Sequence, residues 1–202
     1  MKKWFALLLT LCLLGAMMVS AGAEPATGLK IGLTMQTLNG AYFAAQEETF
    51  AKLCQEKGIE CITADSNGDT NTELANVENF ITQGCNVVVI NPVHVEGSIE
   101  ATRKCLEAGV AVFIMDNSIS PEANYIAMIQ SDNYTLGMLV GADVADHFGD
   151  NEINLGMLSG NVGNTLGLAR RTGTLAGIVE AQLERKGEAK VNIVSQGWGN
   201  WN

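Results

Sequence analysis

The side chains suited to binding chemistry in this chain stand just after short apolar runs. Gln36, Asn39, Tyr42 and Phe43 follow the run 29–35. Asn91 and Pro92 follow 86–90, and Asp116 and Asn117 follow 110–115. Further on, Gly160-Asn161-Val162-Gly163-Asn164 and Arg170 follow 152–158, and Trp198 and Trp201 follow 191–195. These types share one chemistry. Aromatic faces pack against the C–H patches of a small ring. Asn both donates and accepts, Asp accepts from two adjacent hydroxyls, and Arg donates from a rigid fork. Aromatic walls with a few convergent polar groups suit a small polar ligand.

Each residue also has a plainer reading. Tyr42 and Phe43 open a helical pattern in which one of them belongs to the core. Asn91-Pro92 is also ordinary turn chemistry, Asp116 could cap the next segment, and Arg170 could share the solvated helix face to which its neighbour Arg171 is assigned. The joint placement after strands carries the binding reading. Catalytic motifs are absent: the segment Gly32-Leu33-Thr34-Met35-Gln36-Thr37 holds no G-x-G-x-x-G, and there is no Walker A lysine and no G-x-S-x-G elbow. His94 and His147 have no nucleophile beside them. No cofactor and no metal are expected.

The elements that would position these residues alternate strictly. Strands are predicted at 29–35, 59–64, 86–90 and 110–115. Between them lie helices at 41–57, 70–83 and about 98–107. The first carries Phe43, Gln46, Phe50 and Leu53 on one face; the second carries Leu74, Val77, Phe80 and Ile81. Gly58, Gly84 and Gly109 close the helices. This rhythm predicts an α/β fold, a doubly wound parallel sheet with helices on both faces. It resumes with a strand at 125–130, a helix at 134–147, a strand at 152–158, a helix at 166–185 and a strand at 191–195. In open parallel sheets ligands bind beyond the carboxyl ends of the strands, which is where the residues above fall.

The chain begins with Lys2 and Lys3, an apolar run over 4–19 and Ser20-Ala21-Gly22-Ala23, the grammar of a secretory signal peptide cleaved after Ala23. The alternative is a membrane anchor, for which the run is short. Removing the leader takes the net charge from −10 to −12, because Lys2 and Lys3 are its only charges. That acidity argues against a nucleic-acid partner. Cys54, Cys61, Cys85 and Cys105 remain, an even count that permits disulfides in an exported chain, while their spacing fits small core thiols better.

At these residues the chain resembles the ribose-binding-like periplasmic binding proteins of sugar ABC transporters. The resemblance runs from about residue 29 to 202. It rests on Gln36-Thr37-Leu38-Asn39-Gly40-Ala41-Tyr42-Phe43, Asp65-Ser66-Asn67-Gly68-Asp69 and Glu73-Leu74-Ala75-Asn76-Val77. It continues through Val88-Val89-Ile90-Asn91-Pro92, Phe113-Ile114-Met115-Asp116, Gln130-Ser131-Asp132-Asn133, Gly160, Gly163, Arg170-x-x-Gly173 and Gly199-Asn200-Trp201-Asn202. Gly40-Ala41 stands where many members have Asn-Pro, and Asn117 where many have Arg.

The resemblance implies the type I periplasmic binding protein fold: two doubly wound lobes, with the second incomplete here. The expected divisions are a signal peptide at 1–23, an N-terminal lobe at 24–130 and a partial second lobe at 131–202, hinged near Ser131-Asp132-Asn133, with the natural chain continuing past Asn202. Tyr42, Phe43 and Trp201 would sandwich a sugar ring. Asn91, Asp116 and Arg170 would take its hydroxyls, with Gln36, Asn39, Asn117 and Ser131 alongside. The implied protein is not an enzyme. It would work outside the cytoplasm and hand its ligand to an ABC permease, or alternatively present it to a chemoreceptor or sensor kinase.

Overall fold

A computed structural model describes residues 28–199. The leader, the membrane-anchor alternative and Trp201 lie outside the described residues. Within them the elements run β1 (Lys30–Met35), α1 (Ala41–Glu56), β2 (Glu60–Asp65), α2 (Thr70–Thr82), β3 (Val87–Ile90), α3 (Ile99–Glu107), β4 (Ala111–Met115), β5 (Ala127–Ile129), α4 (Asn133–Phe148), β6 (Ile153–Ser159), α5 (Thr165–Lys186) and β7 (Val191–Trp198).

The first five strands form one sheet in the order β2-β1-β3-β4-β5, and every pairing is parallel. Central strands of such a sheet are covered on both faces, hence the unbroken Val-Val-Val-Ile of β3 and the full burial of Leu33, Val88, Ile90 and Ile114. Phe80 and Val77 from α2 join Ala101 and Cys105 from α3 in the larger core cluster. Each fully buried large side chain contributes about 1.5–3 kcal/mol of transfer free energy. The opposite face carries a smaller cluster, Leu33, Met35 and Val89, beneath Phe43 and Phe50 of α1.

Local chemistry sets the helix ends. Asp69 accepts from the Thr72 N–H at 2.8 Å, Asp132 from Thr135 at 3.0 Å and Asn164 from Gly167 at 2.8 Å. At the end of α1, Gly58 takes φ 67° and the Ile59 N–H returns to the Cys54 carbonyl at 2.9 Å.

Strands β6 and β7 form a second, two-stranded parallel sheet, and α4 and α5 pack on it around Ala145, Ile153 and Ile178. The two helices meet backbone to backbone. A Cβ at Gly137 or Gly141 of α4 would fall 2.3 Å or 2.1 Å from the carbonyl oxygens of Arg170 and Thr174. One at Gly173 or Gly177 of α5 would fall 2.2 Å or 2.1 Å from those of Tyr134 and Met138. Both helices thus carry a Gly-x-x-x-Gly pair, and only glycine permits this approach.

Three details depart from the sequence reading. Leu53 is 47 % exposed, and the buried residue of α1 is its neighbour Cys54, because β2 rather than a second helix lies beside that end of α1. The strand read at 125–130 is shorter, Ala127–Ile129. The last strand runs on to Trp198, which pairs with Ser159. Cys54, Cys61, Cys85 and Cys105 are unbridged, and burial pushes the Cys105 thiol up to about 12.

Candidate functional site

Because β1 to β5 are parallel, Gln36, Asn91, Asp116 and Gln130 leave the sheet at one edge. Asp116 is held there by its own N–H, which donates to the Ile129 carbonyl at 2.9 Å. The Asn117 N–H reaches back to the Met115 carbonyl at 2.8 Å, closing a γ-turn with Asp116 at φ 63°. That left-handed conformation is costly for a residue with a Cβ, and strain of this kind collects at functional sites.

The Asp116 carboxylate faces α1. The Tyr42 hydroxyl donates to its Oδ1 at 2.8 Å, and Gln46 Nε2 donates to the Tyr42 oxygen at 3.0 Å. Burial, then the hydrogen bond to Asp116, raises the Tyr42 pKa, while the positive charge of Arg170 acts in the opposite direction. The charge of Arg170, on α5, therefore bears on a residue of α1. Arg170 Nε donates to Asn133 Oδ1 at 2.6 Å, and Asn133 Nδ2 donates to the Ser131 carbonyl at 2.9 Å. Tyr42 is 58 % exposed and meets half-buried Phe43 edge to face, with ring centroids 5.3 Å apart. Tyr42 thus offers its ring to solvent, and Phe43 packs against the core cluster of Leu33, Met35 and Val89.

On the other side of Asp116, Asn117 Nδ2 donates to Gln36 Oε1 at 2.7 Å and to the Pro92 carbonyl at 2.9 Å. Asn91 is fully buried, and neither Oδ1 nor Nδ2 of its side chain has a protein partner. A buried amide left this way costs free energy that a ligand or water would recover. A cleft of about 380 Å³ lies between the 130–134 segment and the start of α5, lined by Gln130, Ser131, Asn133, Thr165 and Leu166 among others.

The structure thus brings Tyr42 and Asp116 into one hydrogen-bonded pair, with Phe43 against the Tyr42 ring, and Gln36 and Asn117 into a second pair beside it, while the charge of Arg170 bears on Tyr42. Asn91 sits at the same sheet edge. Asn39 is exposed, and its N–H closes a local turn on Thr37 Oγ1 at 3.1 Å. Ser131 contributes its carbonyl. Arg171 is not the solvated residue its position suggested: it donates to Ser159 Oγ at 3.3 Å and to Gln196, with its guanidinium 5.9 Å from the Trp198 ring centre. Sequence reasoning missed two residues. Gln46 was read as helix stripe, although a polar side chain four residues after Tyr42 on that stripe was a signal. Glu73, fully buried on α2, stood only within a resembling helix motif and was given no role, since an acid in a first helical turn normally reads as solvated.

The family model described as periplasmic binding protein domain matches residues 31–202. The ribose import binding protein RbsB of Haemophilus influenzae is 30 % identical over 151 residues, covering 75 % of this chain and 50 % of that protein. The protein of the same name from Bacillus subtilis is 28 % identical over 160 residues, 74 % of this chain and 52 % of its own length. The chain therefore spans about half the length of the curated relatives it matches. Among solved structures, a solute-binding protein from Mycobacterium smegmatis with bound glycerol superposes with a TM-score of 0.73 at 28 % identity, over 84 % of this chain and 56 % of that one. One from Actinobacillus succinogenes with bound D-allose gives 0.72 at 24 % identity, over 86 % and 60 %.

Proposed function

The chain belongs to the periplasmic binding protein domain family, and from that membership we propose that it captures a monosaccharide or related polyol outside the cytoplasm and delivers it to an ABC transporter permease. The observation that carries this reading is the Tyr42–Asp116–Arg170 grouping. It sets an exposed aromatic ring against a carboxylate held on a strained turn at the sheet edge, while the Arg170 guanidinium, held by Asn133, bears on the Tyr42 end by its charge. A carboxylate accepts hydroxyl protons, a guanidinium donates to hydroxyl lone pairs, and the ring packs against C–H groups.

In this reading residues 24–130 form one lobe and 131–202 part of another, and the ligand lies between them. Ser131-Asp132-Asn133 is the hinge, with Asp132 anchoring the start of α4. Gln36, Asn91 and Asn117 complete the first wall, with Asn39 and Ser131 at its edge; Trp201, outside the described residues, is assigned to the ligand by resemblance alone. The relatives named for ribose or solved with D-allose and glycerol support a polyhydroxylated ligand. The leader at 1–23 supports export. A thermal-shift screen of the full-length protein against pentoses, hexoses and polyols tests the reading: stabilisation by one member supports it, and stabilisation by none contradicts it.

A further inference from the structure

Between Asn91 and α3 the chain makes a loop whose first peptide unit is held at both ends. The carbonyl of the Pro92–Val93 peptide accepts from Asn117 Nδ2 at 2.9 Å. The N–H of the same peptide donates to Glu73 Oε2 at 2.8 Å. Glu73 projects from α2 and is fully buried, with Oε1 left without a hydrogen-bond partner among the described residues; Ser98 is fully buried too, and its hydroxyl accepts from the His94 N–H at 3.2 Å. Burying a carboxyl is expensive, so its place here calls for a reason beyond packing.

The direction of these bonds has a consequence. A carbonyl can only accept, so Asn117 must turn its NH₂ toward Pro92. The second hydrogen of that NH₂ goes to Gln36 Oε1 at 2.7 Å. Both amide donors are then used, and Oδ1 is the group of Asn117 left to meet a ligand. If the Pro92–Val93 peptide turned over, its N–H would face Asn117 and the amide would have to reverse.

We propose that Glu73 is a positioning residue which, through the Pro92–Val93 peptide, fixes Asn117 as a hydrogen-bond acceptor, so that the ligand group at this point of the site is a donor hydroxyl. This rests on the ligand-capture reading above, and it assigns the buried carboxyl no contact with the ligand.

The test has two arms on the full-length protein. In the first, hydrogen exchange at the Val93 amide is followed without ligand. Glu73→Ala should accelerate it about tenfold or more, and Glu73→Gln, which keeps an acceptor oxygen, should restore it to within about threefold of the parent. In the second, D-ribose, D-allose and myo-inositol are titrated as probes. Whichever binds should bind about tenfold more weakly to Glu73→Ala, and adding Glu73→Ala to Asn117→Ala should cost nothing more, because the two residues act in series. Unchanged Val93 exchange in Glu73→Ala overturns the inference, as do binding losses that simply multiply in the double variant. Failure of all three probes to bind the parent counts against the ligand-capture reading, and the exchange arm still decides the role of Glu73.

Discussion

The Tyr42 hydroxyl and Asp116 Oδ1, 74 residues apart in sequence, are joined by a 2.8 Å hydrogen bond. With Gln46 donating to the Tyr42 oxygen, the phenolic proton has one direction to go, toward the carboxylate. The pair orders the carboxylate before any ligand arrives. A hydroxyl reaching Asp116 either shares Oδ1 with Tyr42 or takes the other oxygen, and in both cases it meets a fixed group rather than a rotating one.

The strain at Asp116 separates folding from binding. At φ 63° a glycine suffers no Cβ clash, so Asp116→Gly should stabilise the fold by about 1 kcal/mol in urea denaturation while weakening ligand capture by roughly ten- to a hundredfold. A less stable Asp116→Gly protein would show that the carboxylate is structural.

The helix pair α4–α5 should tolerate no side chain at its glycines. In Gly141→Ala the new methyl would lie 2.1 Å from Thr174 O and 2.8 Å from Ile178 N, both backbone atoms of a regular helix. The helices must separate, at a cost of about 1–3 kcal/mol or more. Gly163→Ala, whose added Cβ has open space though φ is 78°, should cost less. Equal denaturation midpoints for Gly141→Ala and the parent would contradict the close packing.

Glu73 should give the fold a distinctive pH response. Burial raises its pKa, so the native chain holds this proton more tightly than the unfolded chain does. Its contribution is full below the unfolded value of about 4.3 and is lost as pH rises through the raised native value. Glu73→Gln lacks this loss and should gain on the parent across that window. Asp69 and Asp132 behave oppositely: hydrogen bonds from Thr72 and Thr135 lower their pKa values, so their contributions disappear as pH falls. Urea melts at stepped pH measure the difference, and parallel curves for parent and Glu73→Gln would refute it.

The βα rhythm was legible because each parallel strand is a short apolar run and each helix ends at a glycine. That same order puts Gln36, Asn91, Asp116 and Asn117 at one sheet edge from the sequence alone. What could not be read were contacts set by three-dimensional approach. Arg171 looked solvated because its partners, Ser159, Gln196 and Trp198, come from two strands not adjacent to it in sequence. The burial of Glu73 depends on a loop some twenty residues downstream folding over it. The glycines of α4 and α5 are ordinary in either helix alone, and their meaning appears when the helices meet.

The claim that Asp116 anchors a sugar or polyol is tested most directly by calorimetry on the full-length protein and its Asp116→Ala variant, using the ligand found in the thermal-shift screen. Charge-assisted hydrogen bonds to a carboxylate contribute about 1.5–3 kcal/mol, so the account expects Asp116→Ala to weaken binding by roughly ten- to a hundredfold. Binding by Asp116→Ala equal to that of the parent would contradict it.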